Sequence, residues 1–200
     1  MLIVICGKSG SGKTTTAKEM EKHGFKKLVT DTSRPMRPGE VNGVDYNFRS
    51  DQEFLNLMSK GRYAETVSYD TVYGTWRYGS LKEFYEGSKE DQVIVLNPIG
   101  LKQVINTVKE GNYKSVYLDL SEDLILKRLK LRGDNAKEVA RRLEADRIDF
   151  KDIEEYTDFQ VKIEEKDTVE EIAKKILERI KKEEAVWNLF FANPKTMDFG

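Results

Sequence analysis

Two kinds of apolar pattern alternate along the 200-residue chain. Short unbroken runs at 2–6 (LIVIC), 93–96 (VIVL) and 116–120 (VYLDL) predict strands buried on both faces, since a half-exposed strand would alternate apolar with polar. Further strands are predicted at 25–29 and 161–163. Between them lie stretches with helical spacing. TTTAKEMEKHG follows a glycine-rich turn and has Gly24 as its stop. Leu101, Val104, Ile105 and Val108 are spaced for one helical face, and Gly111 follows. Residues 122–132 and 135–150 read as two more helices. Thr168 and Glu171 can cap a last helix whose Val169, Ile172, Ala173, Ile176, Leu177 and Ile180 share a face. Strands alternating with helices predict an α/β fold, a parallel sheet covered by helices on both sides.

The rhythm is interrupted over 30–75. Residues 30–50 have no helical period and are rich in Arg, Pro, Gly and Asn. Ser50 and Glu53 form a capping box opening the helix EFLNLMSK, which Gly61 ends. Residues 62–75 alternate weakly and predict short antiparallel strands. Ser80 and Glu83 suggest a second capping box before KEFYEG. The interruption predicts an inserted substrate-binding subdomain. From Ala185 the pattern breaks, and residues 185–200, with Trp187, Phe190, Phe191 and Phe199, read as a tail packed on its own domain, an oligomer contact being the alternative.

The length predicts one domain able to hold a core without staples. Thirty-four basic against 35 acidic residues leave a net charge of −1, which argues against a nucleic-acid or membrane-surface binder. One cysteine, Cys6, excludes an internal disulfide and a cysteine-rich zinc site, and reads as a buried strand residue. One histidine, His23, excludes histidine metal sites and reads as a surface group near a helix end. No apolar run approaches the ~20 residues of a membrane span. The start MLIVICG lacks a basic leader, so a cytoplasmic protein is expected.

The chemistry begins at residues 7–14, GKSGSGKT, which match G-x-x-x-x-G-K-[ST] between a predicted strand and a predicted helix. Gly7, Gly10 and Gly12, with Ser9 and Ser11 between them, let successive main-chain amides face one point. The helix that begins after them adds its partial positive charge. Lys13 reaches the β- and γ-phosphates, the Thr14 hydroxyl is a magnesium ligand, and Thr15 closes the set. The loop predicts nucleoside triphosphate binding.

Two further blocks point to a second phosphorylated ligand. In TDTSRPMRPGEVNGVDYNF (30–48), Arg34 and Arg37 are held by Pro35 and Pro38, and Gly39, Asn42 and Gly43 supply turns. Two guanidiniums and the Tyr46 hydroxyl suit a phosphate monoester dianion. In LKRLKLRGDNAKEVARRLEADR (126–147), Gly133-Asp134-Asn135 breaks two helices that carry Arg128, Arg132, Arg141, Arg142 and Arg147. Such a pair can close over phosphates; the plainer reading is a charged face with pairs such as Glu138–Arg142.

The 30–48 block, arginine, two residues, arginine, then PGE-x-NG-x-DY-x-F, resembles the guanylate kinase family, and the resemblance covers about residues 1–180. It implies a P-loop core with a nucleoside-monophosphate region at about 30–80 and a small helical lid at about 128–147. It implies phosphoryl transfer from ATP to GMP or dGMP with Mg²⁺. Carried over by residue, Arg34, Arg37, Tyr46 and Tyr73 would hold the acceptor phosphate. Glu65 would accept from guanine N1 and N2, with Thr75 and Thr30 as base-contacting hydroxyls. Arg128 would lie on the ATP side, and Lys13, Arg37, Arg132 and Arg142 would act on the transferring group. The sequence departs from the family at Val95 and Asn97, where aspartates are usual, which leaves room for another purine or deoxynucleotide acceptor. A kinase of this fold acting on another nucleoside monophosphate or a ribose bisphosphate is the alternative. A non-catalytic phosphopeptide-binding module would typically have lost the glycine loop, which is complete here. No nucleic-acid or membrane partner is expected, and the chain would be a monomer or homodimer.

Overall fold

β1 (Leu2–Gly7) is buried along its whole length because both of its faces are covered. Ile3 and Ile5 pack into one core with side chains of α1 (Lys13–Glu21), α4 (Glu122–Leu131) and α6 (Val169–Phe191). Leu2, Val4 and Cys6 pack into the other, with Leu101 and Val104 of α3 (Pro98–Ile105) and with Phe150 and Ile153. The unbroken run LIVIC thus follows from a strand with no wet side. This computed structural model describes residues 1–86, 88–105 and 113–191, with α6 described by its backbone alone at 184 and 186–191.

β1 sits at the centre of a parallel sheet. Its neighbours are β7 (Gln92–Val95) on one side and β8 (Tyr113–Asp119) on the other. β2 (Lys26–Lys27) flanks β7 and β9 (Phe159–Lys162) flanks β8, giving the order β2-β7-β1-β8-β9. The chain leaves β1 for one half of the sheet and later returns to build the other. The loop after β1 therefore opens at the carboxyl end where the order reverses, the usual ligand crevice of such sheets.

A second sheet is inserted between β2 and β7. It holds β3 (Asp31–Thr32), β4 (Asn47–Phe48) and the antiparallel hairpin β5 (Tyr63–Thr71) and β6 (Gly74–Leu81), ordered β4-β3-β6-β5. α2 (Asp51–Ser59) opens with the expected Ser50–Glu53 capping box. The fully buried Asp31 carboxylate ties the sheet together. It accepts hydrogen bonds from Tyr63 Oη (2.8 Å) and Asn47 Nδ2 (2.9 Å) and pairs with Arg49.

Several expectations need correction. β2 has two residues rather than five, and the hairpin strands are longer than the weak alternation suggested. Ser80 caps nothing: it lies inside β6, its hydroxyl 2.7 Å from Tyr85 Oη, and the 3₁₀ turn Lys82–Tyr85 has no side-chain cap. α6 runs through Ala185 to Phe191, so no break falls there, and residues 192–200, including Phe199, lie outside the described residues. Val108 and Gly111 also lie outside them. The two arginine-bearing helices are α4 and α5 (Ala136–Asp149), the latter capped by Asn135 Oδ1, which accepts from Lys137 N and Glu138 N. No helix among the described residues is long and apolar enough to cross a membrane.

Asp31→Ala leaves a buried hydroxyl and a half-buried guanidinium without their acceptor. A loss of about 3 kcal/mol in urea unfolding is expected.

Candidate active site

The loop after β1 is built by glycine where nothing else fits. Gly10 (φ 78°) and Gly12 (φ 91°) lie in the left-handed region. A Cβ on Gly7 would fall 2.5 Å from Ser11 Oγ. α1 starts at Lys13 with no side-chain cap and no acid in its first turn, so its amino end is left for an external anion. Lys13 Nζ folds back onto the loop, donating to the carbonyls of Gly7 (2.6 Å) and Lys8 (3.0 Å). Burial pushes its pKa down, and Asp146 opposes that shift. Arg128 Nη1 reaches the Gly10 and Ser11 carbonyls at 3.4 Å.

Two loop amides are already taken, that of Ser11 by the Lys8 carbonyl at 3.1 Å. Ser9 N–H donates to Asp146 Oδ2 of α5 at 2.7 Å. Burial raises the Asp146 pKa, opposed by Lys13 and by the bond from Ser9. Asp146 was not legible in the sequence, since nothing local separates it from the other acids of a charged helix. The contact spans 137 positions.

The loop faces a cavity of about 540 Å³. Gly7, Ser9, Gly10, Gly12, Lys13, Thr14 and Thr15 line one side, and Thr30, Arg34, Arg37, Tyr46 and Glu65 line another. Arg128, Arg132 and Arg142 close a third, joined by Arg141 and Asp146. Ser11 is not in the wall: it is fully buried under the loop, its hydroxyl without a partner.

Tyr73 and Thr75 are not brought to the cavity. Tyr73, 60 % exposed, lies at the hairpin tip, and Thr75 Oγ1 donates to Asp70 Oδ1 at 2.8 Å. The chain carries the Tyr-Gly-Ser/Thr triplet twice, at 73–75 and at 78–80. It is the second copy that reaches the site, because Trp76, Tyr78 and Ser80 share one face of β6, opposite Tyr69, Val67 and Glu65 on β5. Tyr78 lines the cavity, and Ser80 hydrogen-bonds the Glu65 carboxylate. The repeat itself was the signal that could have flagged the second copy.

The electrostatics divide the cavity into two ends. Glu65 is 5 % exposed, and burial raises its pKa to about 7 against the opposing bonds from Ser80. It abuts the first turn of α3, where a Cβ on Gly100 would fall 2.8 Å from Oε2. Asn97 Oδ1 accepts from Gly100 N (2.7 Å), so Asn97 serves as the helix cap while lining the cavity beside Val95. At the cationic end, Arg34 is 2 % exposed and makes a two-pronged pair with Glu40 (2.8 and 3.0 Å), which also accepts from Arg37 N (2.7 Å). Among the described residues no carboxylate pairs with the Arg37 guanidinium. Burial, together with Arg34, Arg142 and Arg132, lowers its pKa to about 10. Burial pushes the Tyr46 hydroxyl up to about 12, which keeps it a donor. Across the cavity Arg142 is held by Glu138 (2.8 Å) and Asp134 (3.2 Å), and Arg132 pairs with Asp134.

Among the described residues no three acid, histidine or cysteine groups gather to hold a metal. A magnesium ion would enter this cavity with nucleotide phosphates, and Thr14, which lines it, would offer a hydroxyl oxygen to such a hard cation. The residues present fit that role.

A glycine-built anion cradle facing a second, arginine-lined phosphate site is the arrangement of a P-loop phosphotransferase with a phosphorylated acceptor. The comparisons with known proteins carry this further. The chain belongs to the guanylate kinase family, whose model matches residues 1–183. It is 35 % identical over 188 residues to a guanylate kinase of Streptococcus pyogenes serotype M3, covering 89 % of this chain and 85 % of the relative. The fold matches the crystal structure of a guanylate kinase from Anaplasma phagocytophilum, with TM-score 0.67, 22 % identity and coverage of 96 % and 95 %. It is also similar to a gluconokinase from Sinorhizobium meliloti 1021, with TM-score 0.53, 17 % identity and coverage of 94 % and 96 %. The chain is a nucleoside monophosphate kinase.

Two outcomes follow from these contacts. Asp146→Ala frees the Ser9 amide and removes a negative charge beside Lys13. Calorimetry should find ATP bound about tenfold more tightly. An acid whose folded pKa lies above its ordinary 4.5 costs stability as pH rises from there to about 7, and the full cost persists above that. Glu65→Gln should therefore stabilise the ligand-free protein at pH 8 by about 3 kcal/mol and leave it almost unchanged at pH 4.

Proposed function

We propose that this chain transfers the γ-phosphoryl group of ATP to GMP or dGMP in the presence of magnesium. The observation that carries the acceptor's identity is the buried Glu65 carboxylate, set across the cavity wall from the arginines. As a carboxylate it accepts from guanine N1–H and the N2 amine, which adenine and the pyrimidines do not offer together. Thr30 and Ser80 supply hydroxyls for the base edge. Arg34, Arg37, Tyr46 and Tyr78 hold the acceptor phosphate.

ATP phosphates take the amides of residues 9–15, and Lys13 exchanges the Gly7 and Lys8 carbonyls for phosphate oxygens. The bound cation would be held by Thr14 and would neutralise charge on the β- and γ-oxygens. An acceptor phosphate oxygen then attacks the γ-phosphorus in line and the bond to the leaving ADP breaks. A phosphate monoester is largely ionised at pH 7, so no side chain need remove a proton. What the residues contribute is position and charge: Arg37 from the acceptor side and Arg132 and Arg142 from the segment 128–147, which acts as a lid and excludes water as a competing acceptor. Val95 and Asn97 keep a second reading open. With the Asn97 oxygen engaged by Gly100, base discrimination at this wall rests on Glu65 and the hydroxyls, and another purine monophosphate is the alternative substrate.

A coupled ADP-release assay across the common nucleoside and deoxynucleoside monophosphates tests the reading. GMP and dGMP should give the highest kcat/KM; a pyrimidine monophosphate as the preferred acceptor contradicts it. Lys13→Ala should abolish transfer without loss of fold. Arg37→Ala should raise the acceptor KM about 100-fold with little change in that for ATP. Below about pH 7 the acceptor KM should rise up to tenfold per unit as Glu65 protonates. The acceptor phosphate itself titrates near pH ~6. Glu65→Gln should bind guanine nucleotides poorly throughout and retain only that lower titration.

A further inference from the structure

The β5–β6 hairpin is longer than an acceptor site needs. Along its cavity face the cross-strand pairs run Glu65/Ser80, Val67/Tyr78 and Tyr69/Trp76. On the proposed function the first pair serves the base and the second the acceptor phosphate. The third has no part of the acceptor left to touch, and it meets α5 instead. Tyr69 Oη donates to Asp149 Oδ2 at 2.9 Å. The Arg141 guanidinium lies 6.0 Å from the Tyr69 ring centre, and that of Arg142 lies 5.6 Å from the Trp76 ring centre. Trp76 is 9 % exposed and stacks on Tyr73, with ring centres 5.8 Å apart and planes 10° from parallel. Ring contacts continue toward the acceptor side: Tyr78 lies 6.1 Å from both Tyr69 and Tyr46, and Arg34 stands 5.5 Å over Tyr46.

We propose that Tyr69 and Trp76 form a clasp through which the acceptor-side hairpin positions the lid arginine Arg142. Trp76 is thus a positioning residue, and Tyr73 is its outer support. This rests on the kinase reading. Glu138 and Asp134 fix Arg142 relative to its own helical segment, not to the acceptor. Trp76 provides the contact from across the cavity. An indole face attracts a guanidinium through its quadrupole but brings no negative charge. It therefore orients Arg142 without adding to the negative charge that Glu138 and Asp134 already bring to it. Movements of the hairpin as the acceptor seats are thereby passed to the lid.

Trp76→Phe and Trp76→Leu separate the ring from its bulk. The clasp predicts near wild-type kcat for Phe, and for Leu a kcat about 30-fold lower with KM values for ATP and acceptor within about threefold. In an Arg142→Ala background the same Leu substitution should cost less than about threefold, because its effect passes through that arginine. Tyr69→Phe, which loses only the bond to Asp149, should lower kcat severalfold. Equal kcat for the Leu and Phe variants, or an undiminished Leu effect without Arg142, overturns the clasp. A readout without turnover stands beside these. In protein carrying Trp187→Phe, the emission of Trp76 should shift when Arg142 is replaced by Met. An unchanged spectrum removes the contact on which the clasp depends. If that replacement shifts the emission but the wild-type protein phosphorylates no monophosphate, the kinase reading is overturned instead, and with it the clasp's catalytic role.

Discussion

The Arg37 guanidinium is half-buried in the cavity, has no carboxylate of its own among the described residues, and is surrounded by the charges of Arg34, Arg132 and Arg142. A folded chain accommodates such a surplus only where an anion from outside completes the charge balance. Much of the architecture serves to maintain that surplus. The prolines and Glu40 stiffen the loop that presents Arg34 and Arg37. The parallel sheet sets the amide cradle at the point where its order reverses, and α4 and α5 bring further arginines over both.

The chain partly neutralises its own surplus. Asp146 sits on a loop amide, Lys13 turns onto loop carbonyls, Glu40 grips Arg34, and Glu138 with Asp134 hold Arg142 and Arg132. In the proposed reaction phosphate oxygens replace several of these internal partners, so binding is an exchange of anions rather than the filling of a void. At the other end Glu65 carries the opposite liability: its burial works against its own charge. On the proposed function both ends trade stability for affinity, a common state of functional sites.

The parts of this arrangement that were legible in the sequence are local. GKSGSGKT declares itself because backbone curvature, amide direction and helix start are set within eight consecutive residues. Arg34 and Arg37 were legible because two prolines fix their spacing. The parts that were not legible depend on register or long-range approach. Nothing in the sequence told where the hairpin turns, so the first Tyr-Gly-Thr triplet was read as the ligand and the second was overlooked. Asp146 becomes meaningful only when α5 folds back over a loop far upstream. Ser80 resembled a helix cap because its neighbours fit that motif, whereas the pairing of β6 with β5 placed it beside Glu65.

On the proposed function, one cavity grips two phosphorylated ligands end to end on a shared surplus of positive charge. This is tested most directly by calorimetric titration with adenosine and guanosine joined 5′ to 5′ through a polyphosphate bridge. The arrangement predicts one molecule bound per chain, far more tightly than ATP or GMP alone, with affinity falling steeply in Arg37→Ala. Affinity no better than that of ATP, and indifferent to Arg37, would contradict it.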